Sequence, residues 1–81
     1  MNHDKIHSLI KKKLNLKKAL VSVKEKNISI IAIGDIFIGM NSLEKQKKIY
    51  KILLPYFFKK KIHAVSIQAY TLNEWKKKNS L

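Results

Sequence analysis

The stretch that most restricts this chain is residues 62–75, Ile-His-Ala-Val-Ser-Ile-Gln-Ala-Tyr-Thr-Leu-Asn-Glu-Trp, where a strand is followed at once by the start of a helix. From His63 to Tyr70 the residues are small, β-branched or aromatic, with no Gly or Pro, which suits a half-buried strand. Alternation assigns His63, Val65, Ile67 and Ala69 to one face and Ala64, Ser66, Gln68 and Tyr70 to the other. Thr71 then offers its hydroxyl to the free N–H groups of a helix start, and Glu74 can reach back to the Thr71 N–H, a complete capping box. Tyr70 and Trp75 flank that box as a hydrophobic staple. The strand must stop at Tyr70 and the chain must turn.

The upstream elements read as support for this stretch. Residues 2–13 predict a first helix, with Ile6, Leu9, Ile10 and Leu14 on one stripe, Asp4 in the first turn and lysines crowding the last. Residues 18–23 and 28–34 predict two strands joined by a polar hairpin loop, Lys24 to Asn27. The second strand is almost continuously apolar and is expected at the centre of the sheet, with Phe37 available beyond it to plug the core. Asn41 caps the next helix, with Glu44 completing a weaker capping box. Its inward stripe is read as Leu43, the stem of Lys47, Tyr50, Leu53 and Leu54, with Lys45, Lys48 and Lys51 facing out. Pro55 predicts a kink or a fresh short turn through Phe58. The order is helix, strand, strand, helix, strand, helix. It predicts an α+β fold in one domain spanning 1–81: a mixed three-stranded sheet, a right-handed parallel crossover into the third strand, and helices on one side.

Size and chemistry narrow the function. A chain of 81 residues buries only about 60 to 65% of its extended surface, so partner contacts are expected to matter. It has no cysteine, which removes disulfides, thiolate catalysis and any self-sufficient thiolate metal site. No apolar run approaches the ~20 residues a membrane span needs, and no signal segment is evident, so a soluble cytoplasmic protein is expected.

The net charge of +13 rests on 18 basic residues, all of them lysine. An arginine-free chain has few tools for reading base edges, and the accompanying wealth of Ile and Asn is what an AT-rich genome produces without any partner; attraction to nucleic acid or an acidic partner is the other reading. Gly34 and Gly39 do not make a phosphate loop, because Met40 and Asn41 follow where Lys and Ser/Thr would be required. The five acidic residues form no acid/base pair, and no nucleophile elbow is present, so a binding or adaptor module is expected rather than an enzyme. His3 and His7, four apart, read as a solvated pair for want of a third ligand. His63, taken from the residues alone, reads as a structural histidine at a strand start.

The run Ile62 to Ile67, followed by Ala69-Tyr70-Thr71 and Glu74-Trp75, resembles the C-terminal signature of the BolA family, and within it the IbaG-like branch. The resemblance continues through Ile31 to Asp35, Phe37, Gly39-Met40, Lys45-Gln46 and Ile49-Tyr50, and so covers nearly the whole chain. It implies a class II KH-like fold with element order α-β-β-α-β-α. The Gly-x-x-Gly loop with which KH domains clamp nucleic acid is absent here.

The resemblance also implies that His63 ligates a 2Fe-2S cluster shared with a monothiol glutaredoxin, whose cysteine and glutathione supply the thiolates. The partner-binding residues it implies are His63, Ala64, Lys61, Asn27 and Tyr70, with Thr71, Glu74 and Trp75 in structural roles. A second ligand in such proteins is a His or Cys in the loop between the first two strands. Here Lys24 to Asn27 hold neither, and Asn27 is a poor iron ligand. Either His63 is the one ligand from this side, or the complex is mainly cluster-free. The rival expectation is a DNA-binding regulator of acid or envelope stress genes that uses Lys59, Lys60 and Lys61. A third reading is an acid-stress protein of unassigned direct activity.

Overall fold

A computed structural model describes residues 3–25, 27–59 and 64–79. The elements follow the expected order: α1 (His3–Leu14), β1 (Lys18–Lys24), β2 (Asn27–Ile33), a 3-10 turn (Asp35–Phe37), α2 (Ser42–Lys59), β3 (Ala64–Tyr70) and α3 (Leu72–Asn79). The sheet order is β1-β2-β3, with β1 and β2 antiparallel and β2 and β3 parallel. The apolar β2 is central, as its composition requires.

Register sorts the apolar side chains into three rows across the sheet: Ala19, Ala32 and Ala69; Val21, Ile30 and Ile67; Val23, Ile28 and Val65. Ile6, Ile10 and Leu14 of α1 and Ile49 and Leu53 of α2 join these strands in one buried cluster, so both helices cover the same face. Phe37 closes that cluster with no exposed surface.

The first helix stops without a glycine. Asn15 adopts φ 49, Leu16 N–H donates to the Lys11 carbonyl at 3.0 Å and Asn15 N–H to the Lys12 carbonyl at 3.4 Å. These are the paired bonds of a Schellman motif, and they turn Leu16 into the core.

Three expectations need correction. The hairpin loop is shorter than the four residues expected, because Lys24 pairs with Asn27 and Glu25, at φ 56, begins a two-residue turn. Such turns demand positive φ. The polar, exposed side chains of Lys24 and Asn27 had hidden their place in the ladder.

The inward face of α2 is also different. Lys45 is 8% exposed, Ile49 and Leu53 are buried, and Ile52 packs beside them. Leu43, Tyr50 and Leu54 instead stand 60%, 45% and 38% exposed. Of the expected stripe only Leu53 faces the core, and Lys45 had been assigned to solvent.

Finally, α2 runs unbroken through Pro55 to Lys59. Proline's φ is compatible with a helix, and here the missing N–H and the crowded ring do not end it.

Candidate functional site

The start of α3 fixes the end of β3. Thr71 N–H donates to Glu74 Oε1 at 2.8 Å, and Glu74 N–H donates to Thr71 Oγ1 at 3.1 Å, the reciprocal box expected from the sequence. The Tyr70 and Trp75 rings meet at 5.4 Å with a 50° tilt, so the staple forms as well. Tyr70 is held from further sides: its hydroxyl donates to Gln68 Oε1 at 2.8 Å and accepts from Lys78 Nζ at 2.9 Å. Asn41 and Glu44 make a second reciprocal box at the start of α2. Removing the hydroxyl in Thr71→Ala is expected to cost about 1 kcal/mol. Thermal unfolding then shifts down by roughly 4 to 8 °C, and an unchanged midpoint would contradict the role assigned to the cap.

Sequence reasoning missed the link that ties the two helices together. Lys45 Nζ donates to Glu74 Oε1 at 2.8 Å, with the lysine side chain 10% exposed and the carboxylate half exposed. The signal was not local, since the partner lies 29 residues on. The bond from Lys45, and next the Thr71 N–H, hold the Glu74 carboxyl below its usual value of 4.5. A depressed carboxylate pKa in the folded state contributes stability that is present above the unfolded value and is lost as pH falls through the folded one. Unfolding midpoints of wild type and Glu74→Gln are therefore expected to differ most above pH 4.5 and to converge on acidification. A gap constant down to pH 2 would contradict the ionic link.

Of the residues expected to meet a partner, the described ones lie on β2 and β3. Asn27 is exposed and pairs with Ala64, the residue that follows His63 in sequence. Tyr70 pairs with Ile33 at the other end of the strand, about 20 Å from Ala64 at 3.3 Å per residue. Asn27 and Ala64 thus belong together, and Tyr70 belongs with the α3 cap. His63, Lys60 and Lys61 lie outside the described residues. Lys59 closes α2.

The described residues offer an iron-sulfur group no ligand set of their own. Among the described residues no three His, Cys, Asp or Glu side chains gather around one point, and there is no cysteine. Beside Ala64 the ladder offers Asn27, a carboxamide, and across from it Lys24, an ammonium. Neither competes with thiolate for iron. An imidazole from His63 fits the group only if a partner completes the shell. Among the described residues no helix is long and apolar enough to cross a membrane.

A family model described as BolA-like protein matches residues 3–74. A protein of Buchnera aphidicola subsp. Schizaphis graminum is 46% identical over 77 residues, covering 95% of this chain and 96% of its own length. The acid stress protein IbaG of Escherichia coli (strain K12) is 37% identical over 81 residues, covering 100% of this chain and 96% of that protein. Among solved structures, BolA1 from Arabidopsis thaliana superposes with a TM-score of 0.79 at 20% identity, covering 91% of this chain and 96% of the other. That last likeness is one of fold.

Proposed function

This chain belongs to the BolA-like family, and from that premise we propose that it is an adaptor without catalysis of its own, pairing with a monothiol glutaredoxin in iron-sulfur cluster trafficking or maturation. The observation that carries the reading is the family match over residues 3–74, a range that contains His63. His63 supplies a neutral nitrogen donor to a shared 2Fe-2S cluster, and the glutaredoxin cysteine and glutathione supply the thiolates that this chain lacks. Imidazole in place of thiolate raises a cluster's potential and suits a cluster that is to be passed on. Thr71, Glu74 and Trp75 act by holding the strand that follows His63.

Reconstitution tests this. The purified chain, mixed with a monothiol glutaredoxin, iron, sulfide and glutathione, is expected to give a heterodimer with the absorption and circular dichroism of mixed His/Cys ligation. Spectra identical to those of the glutaredoxin alone would overturn the reading. The register supplies a second test. Asn27 stands beside Ala64, so Asn27→His offers a second imidazole at the end of the strand where His63 enters. Cluster loss from the heterodimer is expected to slow, and an unchanged or faster rate would show that the hairpin does not assist ligation.

The rival reading, a DNA-binding regulator, draws on the net charge of +13. Phosphate binding falls steeply with salt regardless of sequence, whereas the heterodimer withstands salt and fails without iron or glutathione. A salt series separates the two.

A further inference from the structure

Nothing in the sequence of β3 guards its outer edge. Ala64–Tyr70 reads Ala-Val-Ser-Ile-Gln-Ala-Tyr, it is the last strand of the described sheet, and its register with β2 runs without a bulge from Asn27 and Ala64 to Ile33 and Tyr70. Natural edge strands are ordinarily blunted by a charge, a proline or a bulge, and this one has none of them.

The direction of its peptide groups follows from one bond. Gly34 N–H donates to the Tyr70 carbonyl at 3.0 Å, so Tyr70 turns its peptide groups toward β2. In a parallel ladder successive residues serve opposite neighbours. Ser66 and Gln68 therefore share the direction of Tyr70, and Val65, Ile67 and Ala69 turn theirs to the outer edge.

Val65 and Ile67 also floor a groove of about 460 Å³ whose wall is α2. Leu43, Tyr50 and Leu54 give that wall its apolar surface, and the exposed Gln46, Lys47 and Lys51 complete the lining. These are the α2 side chains that the core does not use.

We propose that this edge and groove receive an extended acidic segment of a partner protein, added to β3 as a fourth strand. Its alternate apolar side chains enter the groove against α2, and its Asp and Glu residues meet Lys47 and Lys51. Outward peptide groups at every second residue suit an extended strand, whose own repeat matches theirs. The charge selects the partner. A second copy of this chain would bring its own Lys47 and Lys51 against this pair and would double a net charge of +13. The proposal does not rest on the cluster role, since neither iron, glutathione nor His63 enters it.

The probe is a synthetic peptide of about ten residues, a typical upper length for a strand, in which Ile alternates with Asp or Glu. Titrated into the full chain, it is expected to bind saturably and more weakly as salt rises. Amide hydrogen exchange supplies the fingerprint: Val65, Ile67 and Ala69 slow on binding, while Ser66 and Gln68, already bonded to β2, do not change. The double variant Lys47→Glu with Lys51→Glu is expected to weaken binding by about tenfold or more. Leu54→Ser is expected to weaken it while lowering the melting temperature much less than a core substitution does, because Leu54 is 38% exposed. No binding, or equal slowing at all five amides, would overturn the proposal. So would a single-stranded oligonucleotide of equal charge that displaces the peptide, or a dimer of this chain that Leu54→Ser dissolves.

Discussion

Phe37→Ala is expected to bring the protein close to unfolding at physiological temperature. The phenyl ring has no exposed surface, and it lies in the buried cluster formed by α1, α2 and the sheet. Its backbone belongs to the 3-10 turn and is tied on both sides: Phe37 N–H donates to the Gly34 carbonyl at 3.4 Å, and its carbonyl accepts from Met40 N–H at 3.1 Å. The site cannot collapse readily to fill the void. Removing a buried phenylalanine costs about 3 to 5 kcal/mol. A chain of this length has a total stability of roughly 4 to 12 kcal/mol. The midpoint of thermal unfolding is expected to fall by some 15 to 30 °C, as each kcal/mol moves a small domain by about 4 to 8 °C. A fall of only a few degrees in calorimetry would mean that the ring is not the plug described here.

The second large effect is chemical. His63→Ala is expected to abolish cluster retention by the heterodimer while leaving the thermal midpoint of the free chain nearly unchanged. Losing a residue that merely supports a metal ligand costs about 10- to 100-fold in affinity, and losing the ligand itself exceeds that. The chain has no cysteine, and the neighbouring ladder position holds Asn27, a weak donor to iron. Cluster-loss kinetics with wild type and variant check this, and equal rates would remove His63 from the shell. A variant that lost its cluster only in step with a large fall in melting temperature would assign His63 a structural role instead.

What could be read from the sequence was what depends on near neighbours. Thr71 and Glu74, Tyr70 and Trp75, and Asn41 and Glu44 are pairs within five residues, and each forms as expected. The rotation of α2 was hidden because the helix carries two apolar stripes. Ile49, Ile52 and Leu53 lie on one, and Leu43, Tyr50 and Leu54 on the other. The first packs into the core, where Ile49 and Leu53 are buried, and on that side Lys45 meets Glu74, 29 residues away. A lysine reads as solvated until its carboxylate is known. The hairpin is shorter than its composition suggests for a like reason, since Lys24 and Asn27 occupy exposed ladder positions that polar side chains tolerate. At the site, His63 was singled out by its motif. That Asn27 stands across from Ala64 is a matter of register between strands separated by a whole helix, which residue types do not reveal.

The central claim is that a nitrogen from this chain binds the iron of a shared cluster, and pulsed electron paramagnetic resonance of the reduced heterodimer tests it most directly. The chain is labelled with nitrogen-15 at its three histidines, and the glutaredoxin and glutathione are left unlabelled. The account predicts a strong nitrogen-15 hyperfine coupling that survives replacement of His3 and His7. A spectrum with no coupling to nitrogen-15, from a heterodimer that still holds its cluster, would contradict it.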